Sequence, residues 1–204
     1  MSHRSFRTMR LASKRGFTLV ELLVVMVVIG VVSATFSTFF LNYVTLYSSY
    51  QKDANNFSEL AGQATRISDV LRGTVDIISE SNNDLSAYAY FAPTDTYTSV
   101  VHYYLNASQT AVMVDVTPMT ANPPSGTLIT SSKKTYTIIT KYVAVPGVNL
   151  FTYYDASGSA MSLPIANEHT IVSIGVALAE PASHSAKGQQ FSITVSLRNR
   201  KTNL

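Results

Sequence analysis

The chain of 204 residues contains no cysteine and no tryptophan. Without thiols there is no disulfide framework, no thiolate zinc site, no iron–sulfur cluster and no cysteine nucleophile. A chain of this length buries enough core without a disulfide, so the absence does not assign a compartment. Charge is scarce: 13% of residues are charged and 46% are hydrophobic. That is too apolar for a disordered chain and poor in charge for a soluble enzyme. Proline is missing until Pro93, and no acidic residue precedes Glu21. The net charge of +3 is unevenly spread. Arg4, Arg7, Arg10, Lys14 and Arg15 put five positives in the first fifteen residues, which leaves ten basic against twelve acidic side chains in the rest. The remainder is mildly acidic, so no nucleic-acid partner is expected.

What the sequence does have is one long hydrophobic run. Residues 22–41 carry no charge, proline or side-chain amide. As a helix they span about 30 Å, the thickness of a bilayer's hydrocarbon core. The basic residues ahead of the run orient it with the N-terminus in the cytoplasm and the rest of the chain outside. A buried core helix is the first rival, but the remaining chain is too short to surround one. A cleaved secretory signal is the second, with Val32-Ser33-Ala34 as its cleavage site. Against it, Glu21 interrupts the start of the apolar stretch, which continues past Ala34 through Phe36, Phe39, Phe40 and Leu41. A carboxylate in a membrane segment costs on the order of 2.5–3.5 kcal/mol, so Glu21 calls for a partner. A carboxylate snorkelling to the nearby interface is the alternative.

The residues around Glu21 separate the two. Arg15-Gly16-Phe17-Thr18-Leu19-Val20-Glu21-Leu22-Leu23-Val24-Val25 resembles the prepilin signature of type IV pilins and type II secretion pseudopilins: a short basic leader ending in Gly, then Phe-Thr-Leu-x-Glu opening the hydrophobic helix. The resemblance implies cleavage between Gly16 and Phe17 by a membrane-embedded prepilin peptidase, which also N-methylates the new Phe17 amine. It implies that Glu21 pairs with the N-terminal amine of a neighbouring subunit during filament assembly. The partners it implies are that peptidase/methyltransferase, other pilin or pseudopilin subunits, an inner-membrane assembly platform, and membrane lipid before assembly. Many major pilins have a glycine about where Gly30 sits and a proline about eight residues later. Here that later position is Thr38, a departure that points to a pseudopilin or minor pilin.

Beyond the span, Phe57, Leu60, Ala61, Ala64, Ile67, Val70, Leu71, Val75 and Ile78 recur at spacings of three and four, which predicts an amphipathic helix continuing to Ile78. A single helix over 17–78 would measure about 90 Å. The polar cluster 79–84 should end it. The pattern then turns to strands, expected at 87–91, 98–105, 111–116, 135–143, 148–154, 171–178 and 191–198, with a turn at 155–158 and loops at 122–126 and 182–188. The fold class is α+β: one long N-terminal helix whose C-terminal half packs on an antiparallel β-sheet head. The expected organisation is a leader at 1–16, a transmembrane or filament-core helix at 17–41, an extracytoplasmic helical half at 42–80 and a head at 81–204. The run 150–158, the Ile-x-x-Ile-x-Val of 171–176 and the ending Leu197-Arg198-Asn199-Arg200 are similar to J-type pseudopilins and PilW-like minor pilins.

No catalytic constellation accompanies this. The sequence has no nucleophile elbow, dinucleotide fingerprint, phosphate loop or zincin motif. His3, His102, His169 and His184 lack ligand spacing, and His102 and His169 are read as strand residues. Asp95, Asp115, Asp155, Glu168 and Glu180 are scattered, so no calcium site, other metal or cofactor is expected. Tyrosines are dense in the head, where cross-strand packing accounts for them, although a carbohydrate- or partner-binding surface would use them too. Tyr43, Tyr47 and Tyr50 read as an interfacial belt. Arg198, Arg200 and Lys201 read as solvated charges at a strand end, with DNA contact the alternative. The expectation is a structural filament subunit and not an enzyme. The competing reading is a monomeric, signal-anchored extracytoplasmic binding or adhesion protein with a tyrosine-rich head.

Overall fold

The computed structural model describes residues 16–182 and 185–198. The basic leader residues, His3, His184, Arg200 and Lys201 lie outside the described residues. The chain divides into two compact units, Met1–Ser48 and Ser49–Leu204, and helix α1 (Leu19–Arg72) contributes to both.

In the first unit every described residue is exposed. Its helical part is apolar enough and long enough to cross a membrane. Four hydroxyls in it bond to their own helix: Thr35 Oγ1 donates to the Val31 carbonyl (2.9 Å), Ser37 Oγ to Ser33 (2.8 Å), Thr38 Oγ1 to Ala34 (3.0 Å) and Thr45 Oγ1 to Leu41 (2.9 Å). Each hydroxyl is thereby satisfied without water, the condition for placing it in hydrocarbon.

In the second unit α1 buries Leu60, Ala64, Ile67, Val70 and Leu71, the centre of the predicted stripe. The helix stops earlier than the periodicity predicts. It ends at Arg72, where Gly73 N–H and Thr74 N–H turn back onto the Val70 and Leu71 carbonyls (3.1 and 3.0 Å). Ile77 and Ile78 then belong to strand β1 (Asp76–Glu80), not to the helix. The run Thr74-Val75-Asp76-Ile77-Ile78 is rich in β-branched residues, and Gly73 weakens helix propagation just before it. Pairing of β1 with β2 (Asp84–Ala89) decides the outcome. The polar cluster at 79–84 does not end a helix. It forms a tight hairpin closed by Ser81 N–H on the Asp84 carbonyl (2.8 Å).

Strands β3 (Ser99–Leu105), β4 (Val112–Pro118) and β5 (Lys134–Ile139) complete a five-stranded antiparallel sheet in sequential order. Its inner face alternates Leu85, Ala87 and Ala89 with Val101 and Tyr103 and with Val112, Val114 and Val116, all buried. A second antiparallel sheet is built from β6 (Phe151–Tyr154), β7 (Ser173–Ala182) and β8 (Ser185–Ser196), with β7 in the middle. It adds Phe151, Tyr153, Ile174, Val176, Leu178 and Val195 to the same hydrophobic core as the α1 stripe. The architecture is the expected α+β arrangement, with sheets of five and three strands.

All seven expected strands are present, with shifted ends. β5 stops at Ile139, and Tyr142 leaves the sheet to enter the core. The loop expected at 182–188 is largely strand, because β7 and β8 pair out to Ala182 and Ser185. The turn at 155–158 holds. Asp155 Oδ1 accepts from Ser157 N–H, Ser157 Oγ and Ser159 N–H (2.8, 2.6 and 2.9 Å), and Gly158 takes a φ of +80° that only glycine adopts without strain.

The helix-to-strand switch is testable at two adjacent residues. Ile77 is 5% exposed and Ile78 is 42% exposed. Ile77→Ala should therefore cost about 2–5 kcal/mol and Ile78→Ala about 0.5 kcal/mol or less, read from guanidinium unfolding of the full chain in detergent. A continued helix would reverse the order.

Candidate functional site

The three residues expected to carry processing and assembly lie together at the start of α1. Gly16 and Phe17 precede the helix, and Phe17 is 80% exposed. Nothing lies within 4 Å of where a Cβ on Gly16 would stand, so the chain's own packing does not demand glycine there. Thr18 is the helix N-cap, with its carbonyl accepting from Leu22 N–H (3.1 Å). Since α1 begins at Leu19, Glu21 sits in the first helical turn, one turn earlier than a helix starting at Phe17 would place it.

Thr18 and Glu21 form a reciprocal capping box. Thr18 Oγ1 accepts from Glu21 N–H (3.2 Å), and Glu21 Oε2 accepts both from Thr18 N–H (2.9 Å) and from Thr18 Oγ1 (3.0 Å). Two of the donors that a helix start leaves unsatisfied are thus bonded without water. The carboxylate is not alone in an apolar stretch, and its position in the first turn gains from the helix dipole. The Thr18-x-x-Glu21 spacing is itself the sequence signal of a capping box, beyond the isolated carboxylate. Glu21 Oε1 has no partner among the described residues.

The head gathers polar groups in pairs. His102 Nε2 lies 2.6 Å from Asp84 Oδ2 across β2 and β3. His169 is in a short 3-10 turn (Glu168–Thr170), not in a strand, with Nδ1 3.8 Å from Asp76 Oδ1. Asp115, scattered in sequence, is the hub of a cross-strand cluster. It accepts from Thr135 Oγ1 (2.6 Å) and Tyr104 OH (3.4 Å), and its Oδ2 lies 2.7 Å from Lys133 Nζ. Burial works against the charge on Asp115, but Lys133, Thr135 and Tyr104 together outweigh it and hold the carboxyl below its ordinary range. No sequence spacing announces this cluster, since β4–β5 register alone brings Asp115 opposite Thr135. Among the described residues no three His, Asp or Glu side chains group closely enough to hold a metal ion.

The tyrosines divide. Tyr103, Tyr142 and Tyr153 are core residues. Tyr153 donates its hydroxyl to the Ser81 carbonyl (2.9 Å), and burial raises the pKa of both Tyr103 and Tyr153. Tyr90, Tyr97 and Tyr136 stay exposed.

With that geometry in place, comparison with known families is informative for one segment. Residues 11–37 match the prokaryotic N-terminal methylation motif. The chain carries the type IV pilin and pseudopilin signature, and no finer subtype follows from the match. The motif implies processing by a prepilin peptidase and assembly with other pilin subunits, and its family consists of structural subunits rather than enzymes. No curated protein and no solved structure matches the chain.

Two outcomes follow from the site and the Asp115 cluster. Thr18→Ala should loosen the first turn of α1 by about 1 kcal/mol, seen as roughly fivefold faster hydrogen exchange at Glu21 in micelles, while Thr18→Ser keeps the protection. Because the Asp115 pKa is lowered by folding, its stabilising contribution is fully present above the unfolded pKa of about 3.9 and is lost as pH falls through the folded value. Lys133→Met should flatten that acid-side loss in unfolding curves taken between pH 5 and pH 2.

Proposed function

We propose that the chain is a minor pilin or pseudopilin, a structural subunit of a type IV pilus or type II secretion-like filament. It is made as a single-pass precursor in the cytoplasmic membrane, with its basic leader in the cytoplasm and its head outside. Prepilin peptidase cuts between Gly16 and Phe17 and the Phe17 amine is methylated. The observation that carries the reading is the match to the methylation motif over residues 11–37, placed at the start of a helix whose apolar side chains are uncovered through residue 48.

The chemistry of the site supports each step. Gly16 is unhindered at the scissile bond, and its glycine is not required by neighbouring atoms. Cleavage leaves the Phe17–Thr18 peptide intact, so the Thr18 N–H that binds Glu21 Oε2 survives processing. The cut creates an ammonium at Phe17, which is costly in lipid. Glu21 Oε1 remains available for the ammonium of a neighbouring subunit while Oε2 keeps the cap of its own helix. Pairing the two charges relieves both, provided the geometry is good. Once packed, the helices of neighbours replace lipid around residues 17–41 through van der Waals contact. The unbroken helix through Thr38, whose hydroxyl bonds to the Ala34 carbonyl, lacks the proline of many major pilins and favours the minor-pilin or pseudopilin assignment.

N-terminal sequencing with intact mass of the protein from its native membrane tests the route. A start at N-methylated Phe17 is expected. A start at Thr35 would mean an ordinary secreted protein, and an uncut Met1 or Ser2 a plain membrane anchor. Glu21→Ala then separates a filament subunit from an anchored monomer. The variant should insert normally and fail to enter filaments, measured as its share of sheared surface fibres. Unchanged recovery would sink the assembly role of Glu21.

A further inference from the structure

Two of the three exposed head tyrosines, Tyr90, Tyr97 and Tyr136, share one groove. Tyr97, on the connection between β2 and β3, and Tyr136, on the edge strand β5, line one groove of about 450 Å³ together with Phe91, Asp95, Ser132 and Lys134. Tyr97 is 46% exposed and Tyr136 is 40% exposed, a large area of aromatic ring left facing water. The Phe91 and Tyr136 rings are held in place. Phe91 stacks on Tyr136 with centroids 5.5 Å apart and planes inclined by 18°, and the Arg66 guanidinium sits 5.3 Å from the Phe91 centroid. Asp95 Oδ2 accepts from Ala92 N–H (2.8 Å), which ties down the loop that carries Tyr97. Among the described residues Asp95 Oδ1 and the Lys134 ammonium have no partner. The groove therefore presents fixed aromatic faces beside one acceptor and one donor that are unengaged.

We propose that this groove binds a neutral saccharide of one or two rings. A pyranose has an apolar C–H face, which an aromatic ring covers, and a rim of hydroxyls that both donate and accept. The Asp95 carboxylate accepts from such a hydroxyl and the Lys134 ammonium donates to one, with Ser132 able to do either. A purely apolar occupant, such as an acyl chain or a hydrophobic helix, would bury those two charges unpaired, at a cost that disfavours it. The two opposite charges cancel, which removes any electrostatic preference for an anionic or cationic ligand. The volume lies within the range of small-molecule sites, and its composition of aromatic walls with a few polar groups is that of such sites. Cross-strand packing explains Tyr103 and Tyr153, which are buried, but leaves the exposure of Tyr97 and Tyr136 without a role. The binding does not depend on whether the subunit enters a filament.

The test uses the full-length chain in a detergent without a sugar headgroup, applied to an array of neutral and sialylated oligosaccharides. Retention on neutral oligosaccharides is expected, with no gain on their sialylated counterparts. Tyr97→Ala should lower the retained signal at least tenfold, and Lys134→Met should lower it several-fold. Tyr136→Phe, which keeps the ring, should leave at least half. Circular dichroism and unfolding midpoint of each variant should match the parent. The proposal is overturned by no retention on any neutral oligosaccharide, by a preference for sialylated ones, or by retention unaffected by Tyr97→Ala and Lys134→Met in folded protein. Capture of another filament subunit by a photo-crosslinker at position 97, without sugar retention, would assign the groove to a protein interface instead.

Discussion

A helix whose apolar side chains have nothing to pack on must satisfy its polar groups within itself, and the first unit is organised around that requirement. Its backbone bonds are internal by virtue of the helix. The hydroxyls of Thr35, Ser37, Thr38 and Thr45 fold back on carbonyls one turn earlier. Its single acid is engaged by Thr18, which also supplies the cap that the helix start needs. A hydroxyl that lacked such a bond would be an unsatisfied donor in an apolar surrounding, which is costly. The same economy leaves Glu21 with one occupied and one open oxygen.

The second unit meets the opposite constraint, the need to bury apolar surface with a helix that supplies only one stripe. Leu60, Ala64, Ile67 and Leu71 fill that stripe, and strands from both sheets close over it with Leu85, Tyr103, Val114, Phe151 and Ile174. The small residue Ala64 is fully buried, which lets backbone approach the helix closely. Polar residues follow the alternation to the other face of the five-stranded sheet, where Asp84, His102, Tyr104, Asp115 and Thr135 bond across strands. Cross-strand pairs of this kind contribute stability and fix register. Asp115 illustrates how they do so: with Lys133, Thr135 and Tyr104 around it, a one-residue slip of β5 would turn its partners to the wrong face.

The two units divide the chain's features accordingly. The methylation motif and the capping box lie in the first, at a helix start and the apolar run that follows it. The head is a separate structural solution with its own core, and the exposed rings of its groove, Tyr97 and Tyr136, stand on a loop and an edge strand. Division of this kind lets the head vary without disturbing the N-terminal segment, since no residue of the capping box takes part in the head's core.

The features read correctly from sequence are those set by short-range interactions. The apolar run, the methylation signature and the Asp155 turn each depend on neighbours within a few residues, and so does the stripe Leu60–Leu71. The capping box belonged to the same class, through the Thr18-x-x-Glu21 spacing. Where two local readings competed, tertiary structure chose between them. Val75 and Ile78 fit a helical period, yet β2 was available to pair with Asp76–Glu80 and the strand prevailed. Residues 182–188 carry loop-forming residues, yet the long β7–β8 pairing extends to Ala182 and Ser185. Which tyrosines enter the core, and which residues gather around Asp115 or the groove at Tyr97 and Tyr136, depends on register between strands distant in sequence. The chain's local chemistry determined its apolar helix, the cap that starts it and the motif it carries, and the packing of its strands alone decided where its head turns a face to the outside.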